Sequence, residues 1–442
     1  EFCAFVFFPL ILLLFLELVE TGQLRYLALA ALAYAGLILT HIVTASLFTP
    51  LLMAYVLWLV LRKAGPDLRQ WLHLSGLSLA AAVLALGLSA VFLLPIPVDR
   101  NYIAQEQWTR ATYSYDQHFL YPFQLLSAFW DYGYAVEGPE DTLSLQLGLA
   151  AITLSLVVAV LALRRRTSEQ RTQRGTVLFF LGLTLGIILA MLPLSLPLWR
   201  LLSVAALIQF PWRLLALTAF TLSVLAGAVV QGVEGEREPA LVTNPSLYVL
   251  LLVIISASFG YTLPEYTELS PRLETPAAPL DFELAHPDMV SMVAYTKEQP
   301  HSTPLVDQYL AGEPLVKAHA LTEGATVEMV RHGGGSEEII VRSSQEATIQ
   351  FYTYYFPGWR GYVDGQEVPI RPEDPYGLIT LDVPAGEHQV KIRFGDTPIR
   401  VVGKVISLLS FGLSLFLLRD DLRRVLSHGK SGTIAPQREG SE

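Results

Sequence analysis

Apolar residues run in blocks too long for a soluble core. Nine stretches, near 2–19, 24–40, 44–61, 74–94, 143–163, 175–195, 213–230, 247–263 and 400–418, are dominated by apolar residues, chiefly Leu, Ala, Val, Ile and Phe. Several reach the ~18–20 residues a helix needs to cross the hydrocarbon core of a bilayer. The second and third lie in one apolar stretch, 24–61. As a single helix it would extend ~57 Å, nearly twice the ~30 Å core, so it must turn. Thr40-His41-Ile42-Val43-Thr44-Ala45-Ser46 is its polar interruption, and the turn is expected there.

After Thr326 the period changes from that of helices to that of strands. Runs at 326–331, 337–343, 347–355, 359–363, 366–370, 377–383 and 387–394 alternate and carry β-branched and aromatic residues such as Ile349, Phe351 and Val363. Such runs, separated by turn residues, read as strands. Asp364-Gly365 predicts a tight hairpin, because both central positions of that turn favour positive φ. Pro384-Ala385-Gly386-Glu387 predicts another turn. The result is a small β-sandwich over about 326–396, with Phe351, Trp359, Tyr362 and Val390 expected in its core. Residues 264–320 are rich in Pro, Glu and Thr, with a short helical pattern near Pro287 to Lys297.

The predicted architecture is an α-helical polytopic membrane protein of about nine spans with a C-terminal extracytoplasmic β-sandwich. Residues 1–263 form the helical domain with an outer loop at 95–142. Residues 264–398 form the extracytoplasmic block, 399–419 the last transmembrane helix and 420–442 a cytoplasmic tail.

Composition agrees with this pattern. Of 442 residues 52% are hydrophobic and 16% charged, with a mean hydropathy of +0.44, where a soluble domain carries about a quarter charged residues. A soluble enzyme, a disordered chain and a nucleic-acid binder are excluded. Cys3 is the single cysteine, so no internal disulfide and no cysteine-based metal cluster can form. No cofactor or metal is expected. The chain opens inside an apolar run with no initiator Met and no basic leader, which predicts that it is the middle of a longer protein.

Charge assigns the two faces. Arg25, Arg62, Lys63, Arg69, the run Arg164-Arg165-Arg166 with Arg171 and Arg174, and the tail Arg419, Arg423, Arg424 and Lys430 fall on one side. Positive charge in short connections marks the cytoplasm. The His41 turn, the 95–142 loop, the 196–212 connection and the 264–398 block then face outward. Between Leu263 and Ile399 stand 21 acidic and 9 basic residues, a net of −12, while the remainder carries +2. So acidic a block is unsuited to gripping nucleic acid or an anionic lipid surface.

Candidate chemistry concentrates in the outer connections. The 95–142 loop carries Tyr102, Trp108, Tyr113, Tyr115, Phe119, Tyr121, Phe123, Phe129, Trp130, Tyr132 and Tyr134. Rings interspersed with carboxylates and amides suit a sugar-binding cleft, and they equally suit the headgroup zone, where Trp and Tyr gather. Asp116, His118 and Asp131 are the candidate catalytic residues, because ionisable groups near a membrane cavity are costly unless used. Arg213, in Gln209-Phe210-Pro211-Trp212-Arg213, stands at the start of a span, where the helix dipole opposes a cation. It either holds a lipid phosphate or snorkels beside Trp212. His41 reads as a hydrogen-bonded structural residue. Arg400 and Lys404 either snorkel or meet lipid phosphate. No phosphate loop, nucleophile elbow or metalloprotease motif stands in a supporting context.

Three stretches carry a resemblance. The first is His118-Phe119-Leu120-Tyr121-Pro122 with Gln124-Leu125-Leu126-Ser127, followed by Tyr132-Gly133 and by Gly138-Pro139-Glu140-Asp141-Thr142 through Gly148. The second is Gln209 to Arg213, and the third runs from Tyr355-Phe356-Pro357-Gly358-Trp359 to Asp364-Gly365. Together, over about His41 to Asp396, they resemble bacterial polytopic membrane proteins labelled as having a 6-pyruvoyl-tetrahydropterin synthase-related domain. The third is also similar to the C-terminal domain of membrane proteins of cell-envelope glycosylation. The label does not imply pterin chemistry, since that enzyme needs a His-bound zinc and this chain offers no matching His cluster. The architecture is similar to that of the C-type membrane glycosyltransferases, which implies a polyprenyl-phosphate sugar as donor. In those enzymes the catalytic carboxylate usually lies in the first extracytoplasmic loop, which here would precede Glu1. The expected function is a membrane glycosyltransferase-like protein of the cell envelope. The alternative is a non-catalytic membrane protein that binds or transports envelope glycans or lipids.

Overall fold

The computed structural model describes residues 2–104, 114–127, 129–164, 168–202, 208–233, 245–264, 266, 274–285, 292–298 and 303–430. The chain divides into two compact units, Glu1–Ala90 with Arg110–Pro264 and Ile406–Glu442, and Val91–Thr109 with Glu265–Val405.

The first unit is helical. Its N-terminal half holds α1 (Phe7–Thr21, led by a 3-10 turn at Phe2–Val6), α2 (Leu24–Thr40), α3 (Ile42–Ala64) and α4 (Leu68–Leu88). α5 (Leu149–Arg164), α6 (Ser168–Met191), α7 (Leu215–Val233) and α8 (Pro245–Ser258) follow. The last described helix, α9, is Pro398–Lys430, of which Ile406 onward belongs to this unit and the residues before it to the second. Among the described residues six helices are long and apolar enough to cross a membrane: Phe2–Thr21, Ile42–Ala64, Leu68–Leu88, Arg174–Met191, Pro211–Val229 and Pro398–Asp421. Leu24–Thr40, Leu149–Leu163 and Tyr248–Thr262 are apolar but shorter. Leu13, Met53, Leu79, Leu185, Leu252 and Leu408 stand exposed along these helices. Water would not tolerate so much apolar surface. The chain is a multi-pass membrane protein.

The turn expected at His41 is present. His41 adopts an extended backbone, φ −159°, and its Nδ1 accepts from the Thr44 amide at 3.2 Å, capping α3. Small residues allow close helix approach. A Cβ on Gly36 would lie 2.6 Å from the Phe7 ring, and one on Gly87 2.4 Å from Ser410 Oγ. Phe8 stacks on Phe48 at 4.4 Å and meets Phe220 edge-on at 5.5 Å. The span expected at 74–94 lies earlier, at 68–88, because Asp67 caps it through the Arg69 and Gln70 amides and Ser89 ends it.

The second unit contains two antiparallel sheets. Its strands are β1 (Ala318–Ala320), β2 (Thr326–Gly333), β3 (Ser336–Ser343), β4 (Ala347–Tyr354), β5 (Trp359–Val363), β6 (Gln366–Val368), β7 (Arg371–Glu373), β8 (Leu378–Val383) and β9 (Gly386–Phe394). One sheet has the order β1-β4-β8-β7 and the other β2-β3-β9-β5-β6. Ile339, Val341, Val390 and Ile392 from the second meet Ile349, Phe351, Ile379 and Leu381 from the first in one core. The Asp364-Gly365 turn has φ 49° and 79°, as the hairpin requires. The four edges are blunt: β1, β6 and β7 have three residues each, and β2 is interrupted by a bulge between Met329 and Arg331.

Two expectations are corrected here. Tyr362 is not a core residue. Gly361 and Val363 turn inward on β5, so alternation sends Tyr362 to the opposite face. Trp359 is half-buried at the edge of the core, beside Phe394. The helix expected near Pro287 to Lys297 is absent over residues 292–297, and 287–291 lie outside the described residues. Val293 instead forms an antiparallel bridge with Ile103, and the Ala294 amide donates to the Tyr102 carbonyl at 2.9 Å. The helices among the described residues of this block are Ala278–Ala285 and Pro304–Ala311.

Candidate lipid-phosphate site

In the first unit, two of the four residues singled out from sequence converge. His118 is buried and meets the Phe210 ring edge-on at 5.0 Å. The Arg213 guanidinium lies 5.2 Å from the centre of the same ring, and its Nη1 donates to the Ile208 carbonyl at 2.9 Å. Gln209 makes this turn possible by adopting φ 64°, a left-handed conformation that L residues seldom take. Such strain costs on the order of 1–3 kcal/mol and clusters at functional turns. Phe210 stacks on Trp212 at 5.1 Å. Pro211 opens a 3-10 turn, Pro211–Leu214, that leads into α7.

The two carboxylates do not join them. Asp116 is exposed, and Ser114 Oγ donates to its Oδ1 at 2.5 Å. Asp131 is exposed too, and its Oδ1 accepts from the Tyr132 amide at 2.7 Å. Tyr132 bridges to Leu143 in a local hairpin. Trp108 and Tyr113 lie outside the described residues.

The second unit holds a cavity of about 400 Å³ at the start of α9. Val91, Phe92, Pro95, Ile96 and Ile103 form apolar wall; Asp99, Arg100, Asp396, Arg400 and Lys404 supply charge, three cations against two carboxylates. A short helix at Ile96–Asp99, with Pro97 in its first turn, aims Asp99 at the head of α9. Arg400 Nη2 and Nε donate to Asp99 Oδ2 at 2.9 and 3.2 Å. Lys404 Nζ donates to both Asp396 oxygens at 2.8 and 2.6 Å.

Arg400 is held from several sides. Its guanidinium lies 5.0 Å from the Phe394 ring centre and 5.6 Å from that of Phe356. Gly358, at φ 113°, leaves room for it, since a Cβ there would stand 2.9 Å from Arg400 Nη1 and 2.5 Å from the Gly395 carbonyl. The Phe356-Pro357-Gly358 segment quoted above therefore positions a cation. Arg400 Nη1 and Asp99 Oδ1 are buried with no hydrogen-bond partner among the described residues, an arrangement that native interiors rarely leave without a use.

A chamber with an apolar wall, a net positive set of charges and an adjoining apolar helix suits an amphiphile with an anionic head. Guanidinium forks match phosphate oxygens, and the N-terminal end of a helix favours negative charge. Sequence reading named Arg400 and Lys404 and missed Asp99, Arg100 and Asp396. The usable signal was the Asp99-Arg100 pair two residues beyond Pro97, at the end of an apolar run.

No known protein family, curated protein or solved structure matches the chain.

Proposed function

We propose that this chain is a multi-pass envelope membrane protein that binds a lipid-linked phosphate, of the kind carried by polyprenyl-phosphate sugars, in the manner of a membrane glycosyltransferase. The observation that carries the reading is the cavity whose lining combines Phe92 and Ile96 with Arg100, Arg400 and Lys404. In this reading nine helices span the bilayer, the two sheets form an extracytoplasmic sandwich, and the C-terminus is cytoplasmic. Lipid phosphate lies at the head of α9, and the polyprenyl chain runs along its apolar surface.

Binding without transfer is the second reading. It is favoured by the ion pairing of both carboxylates in the cavity, Asp99 with Arg400 and Asp396 with Lys404. A general base must reach the proton it takes, and a carboxylate held in an ion pair is not free to do so.

The test is binding of a labelled polyprenyl-phosphate sugar to the purified full chain in nanodiscs, beside the same polyprenol without phosphate. The wild type should retain the phosphorylated lipid selectively, and Arg100→Gln with Lys404→Gln should weaken retention at least tenfold. Equal retention of both lipids, or no effect of the two substitutions, overturns the lipid-phosphate reading. Release of free sugar from the bound donor separates transfer from binding alone.

A further inference from the structure

The outward face of the five-stranded sheet holds a second cavity, of about 490 Å³, in the second unit. Its lining is polar: Glu338 from β3, Tyr362 from β5, Gly365 from the turn, and Gln389, Lys391 and Arg393 from β9. Register sets these residues side by side. Tyr362 stands opposite Lys391, Glu338 opposite Lys391, and Arg360 opposite Arg393. The last pairing is unusual, because like charges directly across an antiparallel pair repel.

The neighbouring charges do not resolve it. Lys391 Nζ lies 3.6 Å from Glu338, which also accepts from Gln389. Arg360 reaches Glu367 at 3.9 Å. Arg342, farther along the face, is shared between Glu328 and Glu387. Arg393 is exposed, and no carboxylate lies within ion-pair distance of it among the described residues. One cation is therefore left over beside a half-buried aromatic ring, on a rigid sheet.

We infer that this face binds a short saccharide bearing one carboxylate or phosphate. The Tyr362 ring offers a flat apolar surface for a sugar face. Gln389, Glu338 and Lys391 offer hydroxyl partners of both polarities. Arg393 offers a fork for the anionic group, whose arrival would also quench the Arg360–Arg393 repulsion. A long polyanion is disfavoured by the −12 net charge of the surrounding block; a single anionic group is not, because screening confines charge effects to about 10 Å. The inference is independent of the lipid site and stands whether or not sugar is transferred.

The test is calorimetric titration of the purified full chain with a glucuronyl-glucose disaccharide, with cellobiose and with inorganic phosphate. The acidic disaccharide should bind at least tenfold more tightly than either control. Arg393→Gln and Tyr362→Ala should each weaken it about tenfold, with Arg393→Lys intermediate. Arg393 is exposed, so its variants should unfold at the wild-type temperature, and the lysine variant keeps the test decisive if the glutamine variant does not. Absence of disaccharide binding, equal binding of cellobiose or phosphate, or unchanged affinity in Arg393→Gln and Tyr362→Ala overturns the inference.

Discussion

Arg400 Nη2 and Asp99 Oδ2 lie 2.9 Å apart although 301 residues separate them in the chain. Both side chains are about 15% exposed, at 15% and 14%. Removing one partner of a buried pair leaves the other charge stranded, at a cost of about 3–5 kcal/mol when burial is complete. Asp99→Ala and Arg400→Ala should each cost somewhat less than that, on the order of 2–3 kcal/mol. The double variant should cost clearly less than the sum. Denaturation of the four proteins in detergent measures this, and strict additivity would show that the pair is not coupled.

His388 and Asp364 make a pH-sensitive tie between β9 and the β5–β6 turn. Nδ1 faces Asp364 Oδ2 at 2.6 Å and Nε2 faces the Ala385 carbonyl at 3.2 Å. Both partners are acceptors, so the geometry is fully satisfied only by the imidazolium. The Asp364 carboxylate and the Ala385 carbonyl raise the His388 pKa above 6.5, while His388 and the Gln389 amide lower that of Asp364 below 3.8. The His388 contribution is complete below 6.5 and is lost as pH rises through its raised value. The Asp364 contribution is complete above 3.8 and is lost as pH falls through its lowered value. The unfolding temperature should therefore be higher at about pH 5 than at about pH 9 by more in the wild type than in His388→Gln. Identical pH profiles for the two would dismiss the tie.

Core substitutions should rank by burial. Phe351 is fully buried, whereas Trp359 is only half-buried beside Phe394 at 5.4 Å. Phe351→Ala should cost about 3–5 kcal/mol and Trp359→Ala less, about 2 kcal/mol. Chemical denaturation of the full chain decides the order, and a larger loss at Trp359 would reverse the assignment.

Gly358 and Gly334 form a matched pair. Gly358 has φ 113° and stands against the Gly395 carbonyl and Arg400, while Gly334 has open space around it. Gly358→Ala should destabilise by about 1–3 kcal/mol, and Gly334→Ala should be close to neutral. Thermal unfolding of both variants tests the contrast; equal shifts would count against a crowded Gly358.

Sidedness is open to a direct measurement. A reporter inserted at Gly334 should be active only outside the cytoplasm and one fused after Lys430 only inside it, following the basic residues of the short connections. The reverse pattern would invert the orientation.

The strands were readable because their period of two, their turn residues and their burial agree. All seven expected runs became strands, and the Asp364-Gly365 turn formed where its chemistry placed it. β1 and β7 were missed because three residues are too few for alternation to register. Tyr362 faces away from the core because neighbouring Gly361 and Val363 occupy the inward parity of β5. The site was harder. Asp99 and Arg400 meet only through the tertiary fold, and no local pattern links positions 301 residues apart. His118 and Arg213 were visible as odd residues in apolar surroundings, but their shared contact with Phe210 depends on the strained turn at Gln209.

The blunt edges of the two sheets bear on how copies live side by side. A sheet edge with unpaired amides and carbonyls is a template on which another chain can crystallise a strand. Here β1, β6 and β7 are too short to nucleate such growth, and β2, the longest edge, is bent at its bulge and carries Glu328 and Arg331. In a membrane, neighbouring molecules drift in a plane and collide in similar orientations far more often than in free solution. Edges that cannot propagate a ladder keep those collisions elastic, so the protein can be densely packed without polymerising into ribbons.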